Sequence, residues 1–147
     1  MAAISARQYS TFYLGGLYLG VEVLKVQELI RSQEMTRVPL APRVVHGLIN
    51  LRGQIVTAID LRCRFDMPER AAGERPMNVV VRTDEGAVSL LVDEIGDVIE
   101  VHDGQFERAP DTIKGRANDL VTGVYKMRDR LLLVLDVDRA VAVEKKP

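Results

Sequence analysis

Apolar and polar positions alternate with a period of two along most of the chain, the signature of half-buried strands. Residues 9–14 alternate and are rich in β-formers. Gly15-Gly16 is a two-residue turn signal, and residues 17–21 make the returning strand. From Val23 the period changes. Val23, Val26, Gln27 and Ile30 follow helical spacing, with Leu24 and Leu29 widening the apolar side, so the pattern predicts a short helix over about residues 23–30. Residues 34–38 read as a strand stopped by Pro39 and Pro42. Residues 46–51 and 54–59 pair as a hairpin about Arg52-Gly53, where glycine supplies the positive φ of the turn. Asp60 is placed to cap a helical turn that runs through Phe65. The charged, Gly- and Pro-containing residues 68–76 form an exposed loop. Residues 77–82 and 87–92 make a second such hairpin, and residues 120–127 and 131–135 a late pair. Asp136 then repeats the capping role before a last helical segment over roughly residues 137–143.

The second half of this pattern resembles the first. Residues 46–60 lie over residues 122–136, so that Gly47 meets Gly123, Arg52 meets Arg128 and Asp60 meets Asp136. A weaker match sets residues 17–30 against residues 88–101; the two offsets are 76 and 71 residues, in the same order. Two ordered matches point to a duplicated unit of several short strands and one capped helix, the pattern of a small closed β-barrel.

Composition narrows the function more than the fold. The chain has 147 residues, 47% hydrophobic and 28% charged, enough for real cores and unlike a disordered chain. Its 20 basic and 21 acidic residues leave a formal charge of -1, which gives no broad attraction to nucleic acid or to an anionic membrane. The single cysteine, Cys63, cannot form an intrachain disulfide and rules out a four-cysteine zinc site; between Arg62 and Arg64 it reads as a semi-buried packing residue. The N-terminal residues lack the apolar stretch of a secretion signal, and apolar runs such as residues 131–135 are too short to span a bilayer. A soluble cytoplasmic protein without direct membrane insertion is expected.

Converging catalytic groups are missing from the pattern. His46 and His102 have no metal-ligand spacing, Ser10 and Ser89 lie in strand patterns, and the glycines of residues 15–20 suit a turn and not a phosphate loop. No enzyme activity, metal or cofactor is expected. Aromatic residues make up 5% and tryptophan is absent, which supplies few stacking platforms for single-stranded nucleic acid. A small-barrel nucleic-acid binder stays open as an alternative, should the 15 arginines cluster on one face.

One segment goes further. Gly47-Leu48-Ile49-Asn50-Leu51-Arg52-Gly53-Gln54-Ile55-Val56-Thr57-Ala58-Ile59-Asp60-Leu61-Arg62 closely resembles the signature hairpin of the CheW family, G-x-x-N-L-R-G-x-I-x-P-x-x-D-L-R, with Thr57 where proline is common. Residues 18–30 are similar to the family's second strand and first helix; Arg37-Val38-Pro39, Val92-Asp93, Asp97-Val98 and Pro110 also fit. The resemblance covers a single domain over residues 9–143, with residues 1–8 and 144–147 as flexible termini. It implies a mostly β fold of two SH3-like five-stranded barrels with short helices, one mainly from each half. It also implies a stand-alone, non-enzymatic adaptor in chemotaxis signalling, recruited to membrane-associated chemoreceptor arrays. Its partners would be the regulatory domain of the CheA histidine kinase and the cytoplasmic hairpin tip of chemoreceptors.

The resemblance also nominates residues. Val26, Gly47 and Val98 are the candidates for an apolar trough that takes the receptor helices. Ile55, beside the hairpin tip, is the candidate kinase contact. Glu28 and Arg52 are expected within ion-pair reach, orienting that surface; an exposed pair is worth only about 0–1 kcal/mol in stability.

Overall fold

A computed structural model describes residues 6–108 and 116–142. Within them the alternating segments form strands β1 (Ala6–Leu14), β2 (Leu17–Glu22), β3 (Val26–Ile30), β4 (Val45–Leu51), β5 (Gln54–Asp60), β6 (Met77–Thr83), β7 (Gly86–Val92), β8 (Glu94–His102), β9 (Phe106–Arg108), β10 (Val121–Lys126) and β11 (Leu131–Leu135). The helices are short: α1 (Leu61–Arg64), α2 (Arg116–Leu120) and α3 (Val137–Val141), with 3-10 turns at Val23–Lys25 and Asp103–Gln105. The fold is mostly β, in two sheets ordered β8-β1-β2-β11-β10-β9 and β3-β6-β7-β5-β4. Asp60 and Asp136 cap their helices as expected, accepting from the backbone N–H of Arg62 at 3.1 Å and of Arg139 at 3.2 Å.

Three local expectations need correction. The helix expected over residues 23–30 is a 3-10 turn followed by the strand β3. Along β3 the burial alternates as in any strand, but the chemistry inverts: polar Glu28 is partly buried while apolar Leu29 is exposed. That inversion imitates helical spacing. The strand expected over residues 34–38 reduces to a single bridge, Thr36 to Leu48, with backbone bonds of 2.9 and 2.8 Å. Residues 6–8, expected in a flexible terminus, open β1 and pair with β8. Pro110 and Val143 lie outside the described residues.

The duplication is written into the hydrogen-bond register. Val45 opposite Ile59 and Gly47 opposite Ala58, with a bulge between, recur 76 residues later as Val121 opposite Leu135 and Gly123 opposite Val134 with the same bulge. The weaker match needs a shift of two residues. Tyr9 opposite Glu22 corresponds to Asn78 opposite Leu91, and Val26 opposite Val81 to Ile95 opposite Phe12, so the structural offset is 69 and not 71. Each sheet mixes the two halves: β6 and β7 sit among β3, β4 and β5, and β1 and β2 among β8, β10 and β11.

Both sheets come back on themselves in the same way. The chain leaving edge strand β3 turns and places Thr36 against β4, the opposite edge; the chain leaving edge strand β8 turns and places β9 against β10. Thr36 opposite Leu48 and Glu107 opposite Val124 are equivalent pairs. We call each sheet with its closing segment a ring. The closing segment presses on a glycine in each. A Cβ on Gly47 would stand 2.8 Å from the Thr36 carbonyl oxygen, and one on Gly123 would stand 2.6 Å from that of Glu107. These glycines are needed for the close approach of two backbones.

The main core lies between the sheets and takes buried residues from both, among them Phe12, Leu19, Leu61, Val79, Val92, Val124 and Leu135. Two smaller clusters belong to the separate sheets. Tyr9, Tyr18, Tyr125, Leu132 and Val134 pack together in the six-stranded one, and Ile49, Ala58 and Leu91 in the five-stranded one.

Candidate functional site

The signature hairpin is β4–β5, and its tip is a two-residue turn between Leu51 and Gln54. Both tip residues are left-handed, Arg52 at φ 53° and Gly53 at φ 85°. Such a turn matches the twist of a hairpin, but arginine is an uncommon choice at a positive φ. The Asn50 carboxamide oxygen accepts from the Gly53 N–H at 2.9 Å and fixes the turn. Arg52 then reaches off the tip: its Nη2 donates to Glu28 Oε1 at 2.8 Å, with the arginine side chain 83% exposed. Glu28 is on β3, one edge of the five-stranded sheet, and Arg52 is on the hairpin that forms the other edge. The pair therefore ties the two edges together, beside the Thr36 bridge.

The apolar candidates are placed differently from one another. Ile55 stands on this hairpin opposite Asn50 and is 60% exposed. Val98 is 56% exposed on β8, an edge of the other sheet. Val26 is half-buried and packs against the main core, two residues before Glu28 on β3. Gly47 is buried beneath Met35 and Thr36, and a side chain there would act first on that closing segment. The hairpin thus brings Ile55, Arg52 and Glu28 into one neighbourhood, while Val98 belongs to the opposite sheet.

Sequence reasoning passed over three features. Leu131, 40% exposed, occupies the position of Ile55 in the six-stranded ring, and Leu29, 38% exposed, that of Val98 in the five-stranded ring; the 76-residue repeat contained the first match, and the second appears only at the structural offset of 69. Leu24, 87% exposed on the 3-10 turn that links β2 to β3, was hidden by the helical reading.

The third feature is a charged knot at the other crossing between the sheets, where β7 runs into β8 through Asp93. The Asp93 carboxylate accepts from Arg62 Nε at 2.9 Å and Nη2 at 2.7 Å and from the Gly15 N–H at 2.7 Å, and Arg70 Nε lies 3.0 Å away. Arg70 also donates to Asp60 Oδ1 and to the Leu91 carbonyl, both at 3.2 Å. Burial alone would raise the Asp93 pKa. The Arg62 hydrogen bonds, the Gly15 N–H and the neighbouring guanidinium charges outweigh it and leave Asp93 below its ordinary value. The partners are far apart in sequence, so no local motif announces them.

None of this is catalytic geometry. Among the described residues no group of three His, Cys, Asp or Glu side chains is placed to hold a metal ion. His46 and His102 are exposed, and Cys63 is half-buried in a 540 Å³ cleft beside Asp60, Arg62 and Arg70. No helix of the described residues is long and apolar enough to cross a membrane.

Comparison with known proteins agrees with the hairpin. A family model described as "CheW-like domain" matches residues 8–145. The chain is 30% identical to the chemotaxis protein CheW of Klebsiella aerogenes over 95% of its own length and 84% of the relative's. It is also 30% identical to that of Bacillus subtilis, over 90% and 85%. A crystal structure titled scaffolding protein TtCheW from Thermoanaerobacter tengcongensis superposes with a TM-score of 0.81 at 25% identity, covering 90% of each chain. These comparisons give the nucleic-acid alternative no support.

Proposed function

The chain belongs to the CheW-like family, and on that premise we propose that it is a non-enzymatic coupling adaptor of chemotaxis signalling, holding the CheA histidine kinase on the cytoplasmic hairpin tips of chemoreceptors. The observation that carries the reading is the family match across residues 8–145, joined to a scaffolding relative of the same fold. The adaptor works in the cytoplasm and is recruited to membrane-associated receptor arrays.

Holding two partners at once requires two surfaces that do not fully overlap. The kinase regulatory domain meets the β4–β5 tip, where Ile55 is an exposed apolar anchor and the Glu28–Arg52 pair sets the turn's orientation. The receptor hairpin meets exposed Val98, while half-buried Val26 and buried Gly47 act on that contact through the packing of β3 and the closing segment. Val98 and Ile55 are the residues to test, because a charge on an exposed residue leaves the core intact.

The experiment is a pair of titrations per variant, one with a receptor cytoplasmic fragment and one with the kinase regulatory domain, after circular dichroism confirms folding. Val98→Asp lowers receptor binding by at least tenfold and spares the kinase; Ile55→Asp does the reverse. Wild-type protein that binds neither partner overturns the adaptor reading. Variants that each lose both partners equally overturn the two-surface assignment.

A further inference from the structure

Thr36 closes the five-stranded ring and β4 begins at Val45; the chain between them, which we call the finger, is a mostly exposed pair of turns along the cleft beside α1. Its tip is Val38-Pro39-Leu40-Ala41, a turn closed by the Ala41 N–H donating to the Val38 carbonyl at 3.3 Å. A second turn follows, with the Val45 N–H donating to the Pro42 carbonyl at 2.9 Å. Pro39 and Pro42 fix φ on either side of Leu40, which narrows the conformations open to the segment and lowers the cost of ordering it on a partner.

Leu40 breaks two rules at once. It is fully exposed, at 103%, and Val38 beside it is 38% exposed. Its φ is 66°, in the left-handed region that glycine and asparagine favour and leucine avoids. An apolar side chain that gains nothing from burial and costs backbone strain is a sign of selection for something other than stability. Arg37 and Arg43 flank the tip, both exposed, and neither forms an ion pair among the described residues. The finger therefore offers one apolar anchor between two exposed cations that form no ion pair among the described residues.

We propose that this finger is a docking element whose Leu40 enters an apolar notch between carboxylates on the helical surface of the receptor hairpin, with Arg37 and Arg43 pairing those carboxylates. The charge pattern selects the acidic rim. The choice of receptor rests on the adaptor reading above and on continuity: the finger leaves the segment that covers Gly47 and returns two residues before it. Proline-restricted turns and a single apolar anchor give contact at little cost in conformational entropy.

The test exploits the opposite signs of strain and contact. Leu40→Asn suits the left-handed backbone and removes the anchor. It raises the melting temperature by about 2 °C and weakens binding of the receptor fragment about tenfold or more, while kinase binding stays within about threefold. Leu40→Met keeps an apolar anchor and keeps receptor binding. Arg37→Glu with Arg43→Glu weakens receptor binding further and flattens the salt dependence that the wild type displays. Unchanged receptor binding in Leu40→Asn overturns the proposal, as does loss of kinase binding in its place. A wild-type chain that binds no receptor fragment refutes the adaptor reading itself, a result distinct from either.

Discussion

The two rings share strand order, bulge and closing glycine, yet they are filled with different chemistry. In the six-stranded ring Tyr9 and Tyr125 are buried with ring centroids 5.5 Å apart, and Phe106 of the closing segment packs edge-on against Tyr125 at 5.2 Å. The equivalent places in the five-stranded ring hold Asn78, Ile49 and Met35. There Asn78 accepts from the Ser89 hydroxyl at 2.8 Å and donates to the Arg31 carbonyl at 3.1 Å. The rings keep the register, the bulge, the closing glycine, the aspartate cap and the apolar positions facing the shared core, while the positions on the far side of each sheet diverge. Both rings share the aliphatic core between the sheets; what differs is the filling on the far side, aromatic in the six-stranded ring and aliphatic with a satisfied polar pair in the five-stranded ring.

Truncating the aromatic filling should have the largest effect. Tyr125→Ala removes a fully buried ring that touches Tyr9 and Phe106, and is expected to cost about 4 kcal/mol by urea unfolding. Asn78→Ala, at the Tyr9 position of the other ring, leaves the Ser89 hydroxyl without this acceptor and costs about 1–3 kcal/mol. If the two losses were equal, the contrast in filling would carry no energetic weight. The closing glycines come next. A Cβ at Gly123 meets backbone at 2.6 Å and the Phe106 ring at 2.1 Å, whereas one at Gly47 meets backbone at 2.8 Å and the Met35 Cβ at 3.1 Å. Gly123→Ala should cost about 3 kcal/mol and Gly47→Ala about 2 kcal/mol, with Gly16→Ala, which has open space, as the near-neutral reference.

The two crossings between the sheets differ as sharply as the two interiors. At β7–β8 the Asp93 knot is mostly buried, its Arg62 and Asp93 side chains 17% and 18% exposed. At β2–β3 the pair is Arg7–Glu22, 2.7 Å apart with side chains 51% and 32% exposed. Asp93 has a depressed folded-state pKa, so its contribution is fully present above the unfolded carboxylate value of about 3.9 and is lost as pH falls through the lower folded value. Asp93→Asn should cost about 2 kcal/mol at pH 7 and flatten the loss of stability between about pH 5 and pH 2. Glu22→Gln should cost at most about 1 kcal/mol. Urea midpoints across that pH range, for both variants and the wild type, would separate the crossings.

Much of this organisation was legible before any coordinates. The β4–β5 and β10–β11 hairpins and both aspartate caps follow from alternation, turn chemistry and capping, all of them local signals, and the 76-residue offset from the recurrence of that pattern along the chain. What escaped was non-local or inverted. β3 hid behind Glu28 and Leu29, whose polarities are exchanged because Glu28 turns to Arg52 and Leu29 faces solvent. The exchange of strand pairs between halves has no local signature. Nor has the Asp93 knot, since Arg62 and Asp93 lie 31 residues apart in sequence. Among the site residues, Ile55 and Val98 are exposed and Gly47 is buried, a difference that repeats and motifs do not encode.

The smallest expected effect lies at the two hairpin tips, and it bears most directly on the adaptor reading. Arg52 holds a left-handed conformation at φ 53°, whereas Arg128, its counterpart, has no positive φ. Relieving Arg52 by asparagine, a residue favoured in such turns, should gain about 0.5–1 kcal/mol from the backbone. The same change gives up an ion pair with an 83% exposed arginine, worth about 0–1 kcal/mol. The net change in stability from Arg52→Asn is therefore within about 0.5 kcal/mol of zero, and Arg128→Asn, with neither strain nor a tie to Glu28, is equally silent. Binding should separate them. With the tip no longer anchored to β3, Arg52→Asn weakens the kinase regulatory domain by about tenfold, and Arg128→Asn leaves that interaction within about twofold. Titration calorimetry on the two variants, paired with urea melts, decides the point. Equal kinase affinities for both would mean that the strained tip is an accident of the turn and that Ile55 acts without it.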